Sequence, residues 1–151
     1  MTPITAQQTI LLVDDSNEDF EVTKRAFLRA RMANPIHRCV DGEDALDYLL
    51  RRGEYADPSS SPRPGIIMLD LNMPGTDGRE VLKVIKTDML LKKIPVIVLT
   101  TSSADRDIEE CYNDGANSYI VKPVDIDGFM DAIRRLRDYW FEVVVVPEVS
   151  S

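Results

Sequence analysis

Ile66-Ile67-Met68-Leu69-Asp70-Leu71-Asn72-Met73-Pro74-Gly75 is the stretch that decides the fold. Ile66–Leu69 is apolar without alternation, which describes a strand buried on both faces. The run stops at a carboxylate, and Pro74-Gly75 turns the chain. Outward from it the pattern repeats. Ile10–Val13 ends in Asp14 and Asp15, and Ile36–Val40 runs into Asp41-Gly42. Ile94–Leu99 ends in Thr100, and Tyr119–Val121 ends in Lys122. Helically spaced segments fill the intervals. Phe20, Lys24, Phe27, Leu28 and Arg31 mark a first helix running through Ala33 to the Asn34-Pro35 break. Ala45, Leu46, Leu49 and Leu50 give the second its buried stripe, and Val81, Leu82 and Ile85 the third. Ile108 to Tyr112 is the fourth, and Phe129, Ile133, Leu136 and Trp140 line one face of a fifth. Five strand–helix units predict an α/β fold, a doubly wound five-stranded parallel sheet with helices on both faces. Asp57–Gly65 reads as an exposed loop, and Val143–Pro147 as an apolar tail that no helical period explains.

At 151 residues the chain has the length of one domain. We expect an N-terminal extension over 1–8, a folded domain over 9–142 and a C-terminal tail over 143–151. Lys plus Arg number 18 and Asp plus Glu 26, a net charge of −8, which repels a phosphate backbone and argues against nucleic-acid binding. Cys39 and Cys111 form no CxxC pair and read as buried small hydrophobes in a reducing compartment. No basic-then-apolar leader opens the chain, and no apolar run approaches the ~20 residues that span a bilayer. The expectation is a cytoplasmic protein with no membrane partner.

In a parallel sheet, ligands bind at the carboxyl ends of the strands. Asp14, Asp15, Asp70, Thr100 and Lys122 all fall there. Three carboxylates brought together repel one another, so the set calls for a cation. Mg²⁺ suits it, because it is a hard ion that takes carboxylates, a carbonyl and waters. With Mg²⁺ offsetting two negative charges and Lys122 the third, the site can accept an anionic phosphoryl group. Asp70 is then a nucleophile forming an acyl phosphate, and Thr100 a donor to the bound phosphoryl oxygen. Singly, each residue has an ordinary use: Asp14 or Asp15 as a helix N-cap, Asp70 as a turn residue. All five at strand ends together favour the chemistry.

The motifs LLVDDS (Leu11–Ser16), IIMLDLNMPGTDG (Ile66–Gly78), PVIVLTT (Pro95–Thr101) and DGANSYIVKP (Asp114–Pro123) resemble the receiver domains of two-component response regulators. The likeness runs from about Ile10 to Trp140 and extends throughout to the single-domain chemotaxis regulators. It implies a flavodoxin-like sheet in the order 2-1-3-4-5 and phosphorylation at Asp70 by a sensor histidine kinase. It further implies Asp15 and Asp70 as direct metal ligands, Asp14 as a water-mediated one and the Asn72 backbone carbonyl as the third protein ligand. Thr100 and Tyr119 match the switch pair, Lys122 the salt-bridge lysine, and Lys122-Pro123 a cis bond. Three positions depart or vary: Thr101 stands where Ala or Gly is usual, narrowing access, and Asn72 and Ser102 lie where hydrolysis is tuned.

A narrower resemblance is to the small cyanobacterial-type phytochrome response regulators. It rests on the loop Gly53-Glu54-Tyr55 to Ser61-Pro62-Arg63-Pro64, on Asp77-Gly78-Arg79-Glu80-Val81-Leu82, on Leu99-Thr100-Thr101-Ser102, and on Tyr139-Trp140-Phe141-Glu142 with its valine-rich tail. It implies a bacterial phytochrome kinase as partner and a homodimer through the fourth helix, fifth strand and fifth helix. Tyr139, Phe141, Val143 and Val145 are the expected dimer contacts, since they cannot all face inward on one helix. Output passes to a target protein or by onward phosphotransfer. The chain reads as a switch and not an enzyme. A haloacid-dehalogenase-type phosphatase needs a second Asp where Asn72 stands, and a purely structural dimerisation module leaves the acidic set unexplained.

Overall fold

The computed structural model describes residues 2–3, 8–71, 78–101, 103–122, 125–143 and 145–146. Five parallel strands, β2 (Thr9–Val13), β3 (Ile36–Cys39), β4 (Pro64–Leu69), β5 (Val96–Thr100) and β6 (Ser118–Val121), form the main sheet in the order β3-β2-β4-β5-β6. This is the expected 2-1-3-4-5 order, shifted by one because a short terminal strand, β1 (Thr2–Pro3), precedes the sheet. The helices are α1 (Asn17–Arg29), α2 (Gly42–Leu50), α3 (Gly78–Thr87), α4 (Asp105–Asn113) and α5 (Ile126–Arg137).

Strand side chains alternate between two cores, as period-two geometry requires. Ile10, Leu12, Ile66, Met68, Ile97 and Leu99 pack with Phe27 of α1 and Phe129, Ile133 and Leu136 of α5. Leu11, Val13, Ile67, Leu69, Val96 and Val98 pack with Leu49 of α2, Leu82 and Ile85 of α3 and Cys111 of α4. Full burial of each such side chain stabilises by roughly 1.5–3 kcal/mol. Both cysteines are buried and neither is in a disulfide, as expected of small hydrophobes.

Several boundaries move. The first helix ends at Arg29, four residues before the expected Ala33, because Arg31 takes a left-handed conformation (φ 58°). The Met32 amide then donates to the Phe27 carbonyl, and Met32 is buried. Leu28 faces out, 74% exposed. In α2, Leu50 lies outside the buried stripe and Tyr48 takes its place, its hydroxyl donating to the Pro62 carbonyl at 2.5 Å. The expected exposed loop is only partly exposed. Residues 57–60 face solvent, but Ser61 is fully buried and donates to the Tyr55 carbonyl, while Pro64 and Gly65 open β4. The valine tail is explained by long-range pairing. After α5 a wider helical turn covers Asp138–Val143, and β7 (Val145–Val146) pairs antiparallel with β1.

The loop is anchored through His37, Tyr48 and Tyr55, whose rings lie within 5.5 Å of one another. The Tyr55 hydroxyl donates to Asp44 at 2.8 Å, and Asp44 also accepts the Val40 amide while its own amide is capped by Asp41. Burial lowers the His37 pKa below 6.5, with the Asp44 charge opposing. As pH falls the unfolded chain therefore protonates first, so the stabilisation is full above pH 6.5 and declines toward the folded value. Urea unfolding of the wild type should show this loss as pH falls below 6.5, with Asp14, whose own pKa is raised by burial, acting in the opposite sense. His37→Phe, which keeps the ring stack but cannot titrate, should flatten that slope; equal slopes would remove His37 as the cause.

Candidate functional site

Strand register builds the site. Val13 pairs with Leu69, so Asp14 and Asp70 leave neighbouring strands at one level. Leu69 pairs with Val98, and Thr100 pairs with Val121, which brings Thr100 and Lys122 to the same edge. The Lys122 amide donates to the Thr100 carbonyl at 2.7 Å, and the Asp70 amide to the Val13 carbonyl at 3.0 Å. Asp14, Asp15 and Asp70 each offer an oxygen, all within 4.8 Å of one another. Asp14 and Asp70 are buried, while Asp15 faces out.

The capping role considered for Asp14 and Asp15 falls to Ser16, whose hydroxyl accepts the Asp19 amide. Asp14 is instead held in place, its Oδ1 accepting the Ser16 amide and its carbonyl accepting from the Arg38 guanidinium, both at 3.0 Å. Gly78 fixes the other side. A Cβ there would sit 2.7 Å from the Asp70 carbonyl oxygen, so only glycine lets α3 start this close to the Asp70 backbone.

Lys122 is the counter-charge. Its Nζ lies 3.2 Å from Asp70, 3.6 Å from Asp14 and 3.0 Å from Asp19. Burial alone would lower its pKa, but the Asp14, Asp70 and Asp19 charges outweigh that and raise it. Asp14 is pushed up, first by burial and then by the Asp70 and Asp19 charges, against the Ser16 bond and Lys122. Lys122 thus contacts three carboxylates, Asp15 adds a fourth to the group, and negative charge remains uncompensated. The clustered ligand atoms are all hard oxygens, which fits Mg²⁺ or Mn²⁺.

Asp19 is the residue that sequence reasoning missed. An Asp in the first turn after a serine N-cap reads as an ordinary partner of the helix dipole, and only the fold carries Lys122 to it. Thr100 is fully buried at the end of β5, and Thr101 beside it is exposed. Tyr119 is half-buried against the α3/α4 side and lines a groove of about 640 Å³ with Tyr112, Arg135, Tyr139 and Trp140. Tyr139 is 55% exposed there, whereas Phe141 packs partly on the α1/α5 core. Val143 and Val145 are described by backbone alone, and Asn72, Ser102 and the Pro123 bond lie outside the described residues. Among those residues no helix is long and apolar enough to cross a membrane.

The response regulator receiver domain family matches residues 10–134. Response regulator Rcp1 of Synechocystis is 36% identical over 140 residues, 93% of each chain. Among solved structures, response regulator RPA3017 in red light signaling of R. palustris superposes with a TM-score of 0.89 at 36% identity, covering 94% of this chain and 99% of that one. The phosphorylated cyanobacterial phytochrome response regulator RcpA gives 0.87 at 35%, with the same coverage.

Without metal, Asp15→Asn should melt at or above the wild type, since it relieves repulsion while sparing every Lys122 contact. Millimolar MgCl₂ should raise the wild-type melting temperature by several degrees and the variant's by much less. Equal metal shifts would take Asp15 out of the cation site.

Proposed function

The chain belongs to the response regulator receiver domain family, and from that premise we propose that it is a phosphorylation-controlled protein switch with Asp70 as acceptor. The observation that carries this reading is Lys122 Nζ, set between Asp70 and Asp14 beside a three-carboxylate cluster at the strand ends. The donor is a phosphohistidine of a sensor histidine kinase. An Asp70 oxygen attacks phosphorus, the P–N bond breaks with its electron pair going to the imidazole, and an acyl phosphate is left on Asp70. A divalent cation here would be held by Asp15 and Asp70, with the Asn72 carbonyl and Asp14 as the further ligands that the family resemblance implies, and would offset charge on the phosphoryl oxygens. Lys122 turns from carboxylate to a phosphoryl oxygen, and the Thr100 hydroxyl donates to another. Thr100 precedes the turn into α4, so drawing it toward Asp70 changes the space beside Tyr119 and the α4–β6–α5 surface.

The likeness to RPA3017 and RcpA supports a phytochrome kinase as the partner. The apolar groove on α4, β6 and α5, with exposed Tyr139 at its edge, supports a homodimer through that face. Tyr139, Phe141, Val143 and Val145 are its contacts, and output is to a target protein or by onward phosphotransfer. The role is that of a cytoplasmic switch and not of a turnover enzyme.

Intact-mass analysis after incubation with a small acyl phosphate should find one base-labile phosphoryl group that requires Mg²⁺ and is absent from Asp70→Asn. Sedimentation of the same samples should show dimer at micromolar concentration. No modification under any condition would defeat the switch, and monomer alone at high micromolar concentration would defeat the dimer.

A further inference from the structure

Lys122 has three N–H donors, and three carboxylates surround them. These three partners differ in what it costs to release them. The Asp14 side chain is 3% exposed, so taking the ammonium from it strips a buried charge, and Asp70, 8% exposed, is the residue that itself carries the phosphoryl group after loading. Asp19 makes the shortest contact, 3.0 Å, yet its side chain is 51% exposed and can turn into water. Asp19 and Lys122 also line one cleft of about 180 Å³ with Val22, Thr23, Asp125 and Phe129.

We propose that Asp19 is a positioning residue that holds Lys122 in the empty site and yields it when a phosphoryl group arrives. This rests on the receiver reading above and adds to it the partner that Lys122 gives up. A contact made only in the unloaded state biases the equilibrium toward that state, so Asp19 opposes loading of Asp70. Its negative charge, sharing the Lys122 ammonium with Asp70 at 3.0 Å and 3.2 Å, acts in the same direction. The fold does not depend on this carboxylate. Residue 19 is otherwise bonded through its backbone, the amide to the Ser16 hydroxyl and the carbonyl from the Thr23 hydroxyl.

Calorimetric titration with beryllofluoride in excess Mg²⁺ tests this on the full chain, beryllofluoride standing in for the phosphoryl group. Asp19→Asn should bind about fivefold more tightly than the wild type, the effect of one half-solvated charge at that distance. Asp19→Glu, which restores the carboxylate, should return the affinity toward wild type. Asp19→Asn binding equally or more weakly would overturn the proposal, as would Asp19→Glu behaving like Asp19→Asn. Wild type that fails to bind, or Asp70→Asn that binds equally well, would instead overturn the receiver reading beneath it.

Discussion

Like-charge repulsion at the end of a parallel sheet is the constraint on which the rest of this structure depends. Strand register puts Asp14 and Asp70 at one level and the chain adds Asp15 beside them, so the molecule carries a concentration of negative charge it could avoid by any other choice of residues. A single ammonium, Lys122, is held against it by the β5–β6 pairing, through the bond from its amide to the Thr100 carbonyl. The arrangement is tolerable with that lysine and better with a divalent cation. With a cation bound as well, such a site would hold the groups that stabilise further charged oxygens.

The scaffold keeps those groups from drifting apart. Strands packed on both faces leave little freedom in register, and the two cores clamp the sheet between α1 with α5 and the three remaining helices. Local contacts finish the placement: Arg38 and the Ser16 amide on Asp14, and a glycine at the start of α3 where a side chain would strike the Asp70 backbone. The same sheet carries Thr100 at the end of β5 and Tyr119 within β6.

Four of the five strands were legible as apolar runs, and Ile36–Cys39, with His37 and Arg38 inside it, from the Asn34-Pro35 and Asp41-Gly42 breaks on either side; the strand-end residues were legible because polar groups follow the strands directly. Strand order came from resemblance and not from periodicity. The features that were not legible depend on distance along the chain. Asp19 meets Lys122 only across 103 positions, and β7 finds β1 only when both termini are placed. Leu50 fits an apolar stripe by composition, yet Tyr48 takes the buried place, its hydroxyl satisfied by the Pro62 carbonyl. The loop before β4 has the composition of an exposed turn, but His37, Tyr48 and Tyr55 gather beneath it and bury Ser61. Helix α1 stops early because one arginine adopts a left-handed backbone, which no side-chain pattern announces.

The central claim, that the strand-end groups converge on a phosphoryl group at Asp70, is tested most directly by a crystal structure of the chain with Mg²⁺ and beryllofluoride. The account predicts the adduct on the Asp70 carboxylate, with Asp15 on the metal and with Lys122 Nζ and Thr100 Oγ each at hydrogen-bond distance from a fluorine. An adduct on another residue, or one on Asp70 that Lys122 and Thr100 do not touch, would contradict it.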